Sequence, residues 1–347
     1  MIDCSTLVQL GNEVGLVILP KNEDLHSWHE VLANIDYIPF AYLPESIEFQ
    51  HSVYRDRCES CGESSLLIMV DREPVGIWPL SIAYVDGKYN FGYFGYALLP
   101  PLFRSSVSMP ARKRLYKACL NFAHALAADL NISNWESCET FHAGLGLSPW
   151  YWNALSDSNT MVSLRHELFI EMTRKIGEIK RDFRKSYKSL IEKPILDWTL
   201  HMMEEPEPDT WGQFKKLHET VAGRKTRSDD SWDIHLGDIE KDHGVLVYLL
   251  NNHGEMEGGG FFNYSRDESM YAVAAYNRDH FDKPIGHVIQ FKAIKFLQSK
   301  SVKWHRLGMR YLPHDQEIHT KKEISISDFK QGFATHLFPN ILLKHSR

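Results

Sequence analysis

The 347-residue sequence lacks long apolar runs, since no stretch approaches the ~20 apolar residues that a membrane-spanning helix needs. Its first residues, Met1 to Ser5, show no basic segment followed by an apolar core, so no export signal is expected. The five cysteines are an odd number without the spacing of a disulfide framework, which is typical of reduced thiols. Together these absences predict a soluble, cytoplasmic protein.

Metal-binding patterns are also missing. Cys58 and Cys61 form one CxxC pair, but no second pair follows that would complete a zinc site. The chain has 18 histidines, and none stands at a paired spacing with carboxylates on a predicted helix. The sequence therefore predicts no bound metal.

The sequence has fewer basic than acidic residues, and its net charge of −6 argues against binding to DNA. One segment is an exception: between Arg174 and Lys193, eight basic residues face three acidic ones. Apolar residues recur at helical spacing through this segment, so it is predicted to form an amphipathic helix that connects two lobes. The alternative is a connecting helix whose charges only face water.

The sequence contains one order of elements twice. The first copy has apolar runs at Leu66–Val70 and Val75–Leu80, an aromatic strand at Tyr89–Tyr96 and a helix that begins at Pro110. The second copy has runs at Val245–Leu249, Gly258–Tyr264 and Met270–Tyr276 and a helix that begins at Pro284. This repeated order of elements predicts an α/β protein of two related lobes, each a mixed sheet flanked by helices. A strand that leads through a loop into a helix also presents free N–H groups, which suit phosphate or a thioester oxygen.

The remaining pattern sets the expected domain ranges. Residues 1–165 are predicted as the first lobe, 166–200 as a basic connecting strand and helix, and 201–347 as the second lobe. A strand region is expected at Leu7–Leu19. A further helix is expected to begin with an Asp209 cap and to end at Gly223.

Several segments resemble the Fem-type family, which joins two acyltransferase folds of the GCN5-related (GNAT) kind in one chain. They are Glu73–Gly76, Phe183–Lys188, Tyr271–Tyr276, Pro284–His287, Trp304–Gly308 and Phe329–Phe333. The resemblance covers most of residues 40 to 340. It implies tandem GNAT-like lobes, and it implies ligand-facing positions for Lys330 and, in the basic segment, Arg184.

The chain departs from simple acyl-CoA-dependent members of that fold at the second strand-to-helix junction. Those members carry a Gln/Arg-x-x-Gly-x-Gly/Ala loop there, whereas residues 277–287 contain one glycine, Gly286. The junction still offers Arg278 and Lys283 beside a helix start, where an anionic ligand is favoured. Acyl-CoA is accordingly the expected donor, with Lys283 and Gly286 as its expected contacts and Arg278 as a substrate contact.

Direct acyl transfer to an amine requires a base, a polarised carbonyl and a sheltered or protonated leaving group. His287 lies just inside a helix start, where the dipole favours a neutral imidazole, so it is the predicted base. Tyr276 ends a strand beside it and is the predicted acid. The alternatives are a water-facing polar residue for His287 and a core aromatic for Tyr276.

Arg224 and Arg227 lie in a charged segment between two predicted elements. Guanidinium groups pair well with phosphate or carboxylate, so these two are the predicted clamp for an anionic acceptor such as a nucleotide sugar. The alternative is a loop whose charge is neutralised by its own Asp229 and Asp230.

The predicted function is transfer of an acyl or aminoacyl group to an amine of a cell-envelope sugar or its nucleotide-linked precursor. A transfer-RNA-dependent aminoacyl transferase of the peptidoglycan type is one alternative, and it would need a basic channel. A non-catalytic glycan-binding module is the other. A lipid-linked substrate would bring the protein into peripheral contact with a membrane.

Overall fold

A computed structural model describes residues 3–140, 146–195, 198–313, 315 and 317–346. The chain divides into two compact units. The first comprises residues 1–38, 42–165 and 339–347, and the second comprises residues 39–41 and 166–338. The expected connecting segment, residues 166–200, therefore groups with the second unit, and residues 339–347 group with the first.

Five α-helices lie in the part of the first unit that the structure describes. They are α1 (Cys4–Glu13), α2 (Leu25–Ala33), α3 (Pro44–Arg55), α4 (Met109–Asp129) and α5 (Pro149–Leu155). The strands that precede the chain's crossing are β1 (Ile18–Pro20), β2 (Ser60–Glu63), β3 (Leu66–Val70), β4 (Glu73–Trp78), β5 (Ser81–Val85), β6 (Lys88–Gly92), β7 (Leu102–Phe103) and β8 (Asn134–Thr140). The chain enters the second unit within β9 (Thr160–Glu171).

The second unit continues with helices α6 (Ile176–Asp182), α7 (Pro208–Ala222), α8 (Asp229–Glu240), α9 (Ile285–Ser299) and α10 (Lys321–Gln331). Its further strands are β10 (Thr199–Met203), β11 (Gly244–Leu250), β12 (Met256–Tyr264), β13 (Glu268–Tyr276) and β14 (Trp304–Met309). The chain returns to the first unit within β15 (His336–Ser346). The predicted α/β class is confirmed.

The strands of the first unit form antiparallel ladders. One sheet has the order β1-β3-β4-β7 and another the order β2-β5-β6, while β15 pairs with β8. Helix α4 begins where Pro110 predicts: Ser108 is its N-cap, and the Ser108 hydroxyl accepts a hydrogen bond from the Ala111 amide. Buried residues of α4, including Phe122 and Leu126, pack in one core with Trp78.

The strand expected at Leu7–Leu19 is wrong. The structure has helix α1 over most of that range and only the short β1 at its end. The Asp3 carboxylate accepts a hydrogen bond from the Thr6 amide at 2.8 Å, which satisfies one of the free N–H groups of a helix start. Leu7 and Gly11, one helical turn apart, are buried on one face. The predicted strand does not form, because the Asp3 cap and this buried face specify a helix.

Six strands of the second unit form one sheet in the order β10-β11-β12-β13-β14-β9. Successive residues of its strands face two cores: Val245 and Val247 pack under α9, whereas Leu246 and Tyr248 pack with α7 and α8. Glycines in β12 allow both helix layers to approach. A Cβ on Gly258 would collide with Ile285 of α9, and one on Gly259 with Phe214 of α7.

The single amphipathic helix expected over residues 174–193 is wrong. Helix α6 ends at Asp182, Phe183 is extended, and a short 3-10 turn follows at Lys185–Tyr187. The Arg184 amide donates to the Gly332 carbonyl at 2.8 Å, so a tertiary hydrogen bond replaces a helical one. The break places the Phe183 ring in the core.

Helix α7 ends as its sequence predicts. Gly223 adopts a left-handed conformation with φ of 72°, and its amide bonds back to the last turn. The helix begins earlier than expected, with Glu207 rather than Asp209 as its N-cap. Among the residues that the structure describes, none of the helices combines the length and apolar character of a bilayer span.

Candidate active site

The parallel strands β13 and β14 pair at their beginnings and then diverge. Glu268, Ser269 and Met270 pair with residues 304–306, and the ladder between the two strands ends there. Past this point β14 continues to pair with β9 through a register irregularity between Arg306 and Gly308. Beyond the last pair no ladder bonds join the two strands in the residues that the structure describes, and this gap in the ladder at their carboxyl ends is called the opening.

Lys330, in the last turn of α10, lies at this opening. Its Nζ is 5.3 Å from the centre of the Tyr271 ring. Gly308 has a φ of 105°, which favours glycine, and a Cβ there would stand 3.4 Å from the same Nζ, in ordinary contact. Burial lowers the pKa of Lys330 to about 8, while the nearby Glu167 carboxylate opposes that shift. The amine is thus a cation that gives up its proton more readily than an exposed lysine.

Two tyrosines of β13 share a hydrogen bond at the opening. The hydroxyls of Tyr271 and Tyr276 are hydrogen-bonded to each other. Burial raises the pKa of Tyr276 to about 12, and burial with the Tyr276 neighbour raises that of Tyr271 well above its ordinary value. Both phenols are therefore protonated near neutral pH and can donate. Tyr276 also packs on Gly286, where a Cβ would lie 3.2 Å from the ring.

A buried histidine that the sequence did not single out fixes the point of divergence. His305 of β14 pairs with Ser269 in the strand register, and its Nδ1 lies 2.8 Å from the Ser269 hydroxyl. Its Nε2 lies 2.8 Å from the side-chain amide nitrogen of Gln290 on α9. Burial and the Lys330 charge lower the pKa of His305 to about 3. A neutral imidazole therefore joins β13, β14 and α9.

His287 lies on the other flank of α10's last turn. Its ring contacts Tyr187, Phe329 and Phe333, with centroid distances of 4.4, 5.2 and 5.9 Å. Burial and the Arg184 charge lower its pKa to about 4, which leaves it neutral near pH 7. Its Nε2 is buried and finds no hydrogen-bond partner among the residues that the structure describes.

The sequence-predicted site residues thus fall into separate groups. Tyr276 and Lys330 both contact the Tyr271 side chain, and Gly286 packs against Tyr276. His287 faces an aromatic enclosure instead.

Arg184 is exposed and tied to α10. It donates to the carbonyl and to the carboxylate of Asp328, each at 3.1 Å, and its guanidinium lies 5.2 Å from the centre of the Tyr187 ring.

The strand-to-helix junction holds its own polar network. Arg278 is exposed and donates to the Val221 carbonyl at 2.8 Å. Lys283 contacts Nδ1 of His280 at 3.1 Å and lies 5.2 Å from the centre of the Trp198 ring. Lys283 comes two residues before the first residue of α9, Arg278 contacts the end of α7, and each has a partner within the protein.

The predicted two-arginine clamp stays a prediction, and its two members differ in their surroundings. Arg224 is exposed after the end of α7, but the Arg227 guanidinium stacks on Trp232 at 3.8 Å, and burial lowers its pKa to about 10. Asp229 and Asp230, expected in a loop under the alternative, are the first two residues of α8. Its first turn carries the ring that Arg227 covers, so Arg227 supports the fold of this region.

Comparisons with known proteins identify the fold. No family model matches the sequence, and no curated protein sequence matches it. A crystal structure of FemX is similar, with a TM-score of 0.65 and 11% identity, over 90% of this chain and 95% of that one. The structure of L-PGS from Bacillus licheniformis has a TM-score of 0.56 and 13% identity, over 93% and 92%. The C-terminal domain of a putative lysylphosphatidylglycerol synthetase from Agrobacterium fabrum has a TM-score of 0.53 and 9% identity, over 98% and 91%. The chain has the Fem-like fold that its sequence predicts.

Proposed function

We propose that this protein transfers an activated acyl or aminoacyl group to an amine of a cell-envelope sugar or its nucleotide-linked precursor. The observation that carries the proposal is the buried Lys330 cation at the divergence of β13 and β14, next to two phenol donors. A site of this kind suits a carbonyl that develops negative charge. The likeness to FemX and L-PGS supports the class of reaction.

In the proposed step the amine nitrogen attacks the acyl carbonyl carbon directly. The C–N bond forms, the carbonyl oxygen becomes an oxyanion, and the protonated Lys330 donates to that oxygen. The bond to the leaving thiol or hydroxyl then breaks, and a phenol proton from Tyr276, with Tyr271 behind it, passes to the leaving atom. The amine loses one proton to a base, for which His287 is proposed because its imidazole is neutral.

For the donor we propose an acyl-CoA held at the junction before α9. Lys283 and Arg278 precede that helix in the chain, and Gly286 lies in its first turn, packed against Tyr276 and Phe329. The N–H groups of a helix start favour a pyrophosphate. Arg224, which is exposed, and Arg184 are proposed contacts for an anionic acceptor.

Transfer RNA as the source of an aminoacyl group is the second candidate. The likeness to proteins named for lysylphosphatidylglycerol synthesis favours an aminoacyl donor. Charges in the basic segment argue the other way, because three of its cations are paired: Arg174 with Asp182, Lys180 with Glu192, and Arg184 with Asp328. A surface whose cations are paired with carboxylates repels a phosphate backbone less than an acidic surface does. It still attracts that backbone only weakly. Acyl-CoA is therefore placed first.

The test is product formation from a defined pair of substrates. Acetyl-CoA, or a charged transfer RNA, is incubated with amino sugars and their nucleotide-linked forms, and the acceptor mass is followed by mass spectrometry. Wild-type protein should add one acyl mass, and Lys330→Met should add it at least about 100-fold more slowly. Lys322→Met, at an exposed position of the same helix, is the matched control.

Binding without turnover for every donor and acceptor would overturn the enzymatic proposal and favour a glycan-binding module. Equal rates for Lys330→Met and the Lys322 control would show that the reaction occurs elsewhere.

A further inference from the structure

Three potential metal ligands converge in the first unit, far from one another in the sequence. His124 lies on α4, Asp157 follows α5, and His345 lies near the end of β15. One ligand atom from each lies within 4.8 Å of the others, and Nε2 of His124 is 3.5 Å from Oδ2 of Asp157. Tetrahedral zinc with bonds of 2.0–2.1 Å separates its ligand atoms by about 3.4 Å. The His124–Asp157 separation already has this value, and the longest separation in the cluster, 4.8 Å at most, would have to shorten by up to about 1.4 Å.

The second polar atoms of His345 and Asp157 are already held. His345 is buried, and its Nε2 lies 2.9 Å from the hydroxyl of the buried Ser137, which also accepts from Trp150. Oδ1 of Asp157 accepts from the Asn159 amide at 3.0 Å, so Oδ2 is the oxygen directed at His124. Metal-binding histidines and carboxylates are usually oriented in this way through their second polar atom.

The His345 ring is fixed from its face as well. It stacks on Trp135 with a centroid distance of 3.8 Å and an interplanar angle of 12°, and His124 meets the edge of the same Trp135 ring at 5.2 Å. Nδ1 of His345, the ring nitrogen that does not contact Ser137, lies 3.1 Å from the Thr160 hydroxyl. Thr160 belongs to the segment that begins at Asp157. This places Nδ1 on the side of the carboxylate.

We propose that His124 Nε2, Asp157 Oδ2 and His345 Nδ1 bind one divalent transition metal ion, with Zn²⁺ as the expected ion. Two imidazoles and one carboxylate form a donor set that zinc binds in proteins, with a water molecule at a fourth position. The side chains of His124 and Asp157 are 35% and 29% exposed, which gives an ion a path to the site. Bound metal would tie β15 to α4 and to the turn after α5.

Sequence patterns do not reveal this site because its ligands come from three elements and no two are a helical turn apart. The alternative use of the same residues is an ion pair between Asp157 and a protonated His124. That alternative requires no metal and predicts no stoichiometric binding.

The test uses the full chain with any affinity tag removed and with metal stripped by a chelator. Zn²⁺ is titrated by calorimetry, and metal content after dialysis is measured by mass spectrometry. Wild-type protein should retain one Zn²⁺ per chain and melt at a higher temperature with it. His124→Gln and Asp157→Asn should each weaken binding by at least about 10-fold.

Two controls separate this site from adventitious binding to other histidines. His253→Gln changes an exposed histidine in a turn, and Asp129→Asn removes an exposed carboxylate from α4 itself; both should bind Zn²⁺ as the wild type does. Co²⁺ should give the visible absorption of a tetrahedral site in the wild type and lose it in Asp157→Asn. Equal Zn²⁺ affinity in Asp157→Asn and wild type, or no retained metal in the wild type, would overturn the proposal.

Discussion

Nζ of Lys330 lies 5.3 Å from the centre of the Tyr271 ring, where β13 and β14 part. The lysine comes from α10 and the tyrosine from β13, so a helix end places a cation at an opening that the strands create. The Tyr271 hydroxyl in turn bonds that of Tyr276. The site is a short series of polar groups along one edge of β13.

Lys330→Met should make the protein more stable below pH 8 while abolishing its activity. The folded-state pKa, about 8, is below the ordinary 10.5, so the folded protein binds this proton more weakly than the unfolded chain does. Stability from this group is fully present above pH 10.5 and is lost as the pH falls through 8. Urea melts of the wild type at pH 7.5 and 10 should show this difference, and Lys330→Met should reduce it. An unchanged difference would contradict the burial of the lysine.

His305→Asn should destabilise the protein without removing a catalytic group. The substitution breaks the bonds to Ser269 and Gln290 and leaves buried polar atoms unpaired, which costs about 1–3 kcal/mol. Urea denaturation measures this loss. His253→Asn, at an exposed turn, is the control and should change the free energy of unfolding by less than about 0.5 kcal/mol. A loss no greater than that of the control would show that His305 does not anchor the strands.

His287→Gln should lower turnover by about 10²- to 10⁴-fold if the imidazole is the base. Because its pKa is about 4, the wild-type rate should not vary with this group between pH 5.5 and 7. It should fall only as the pH drops towards 4, and that fall should vanish in the mutant. If the mutant turns over within a few-fold of the wild-type rate, His287 is not the base, and Tyr276 and His280 are the next candidates.

Arg224→Ala and Arg227→Ala should have different effects. Arg224 is exposed, so its loss should raise the acceptor KM and shift the unfolding free energy by no more than about 0.5 kcal/mol. Arg227 stacks on Trp232, so its loss should lower the melting temperature with a smaller effect on the acceptor KM. Identical effects of the two substitutions on KM and melting temperature would argue for a shared role.

The sequence predicted the strands of the second unit well because their apolar runs are long and end in clear turns. Val245–Leu249 and Met270–Tyr276 lie within observed strands, and α9 begins next to Pro284 as expected. Periodicity could not reveal the break at Phe183. The next amide, that of Arg184, bonds to the Gly332 carbonyl in place of a helical bond, and Gly332 lies far along the chain.

Site residues were harder to predict than strands. Lys330 stood out because its segment resembles a known family; Tyr271, His305 and Gly308 lie in segments that resemble the same family, but the sequence assigned them no role. Their importance arises from the divergence of β13 and β14, which depends on strand order rather than on local sequence. The stacking of Arg227 on Trp232 could not be predicted, because a charged segment does not reveal which cation will cover a tryptophan.

A crystal structure of the protein with an acyl-CoA and a non-reactive acceptor analogue would test the central claim most directly. The proposal predicts the acyl carbonyl between β13 and β14, with its oxygen about 3 Å from Lys330 Nζ and the pyrophosphate at the start of α9. An acyl group bound away from Lys330, with the opening between the two strands empty, would contradict it.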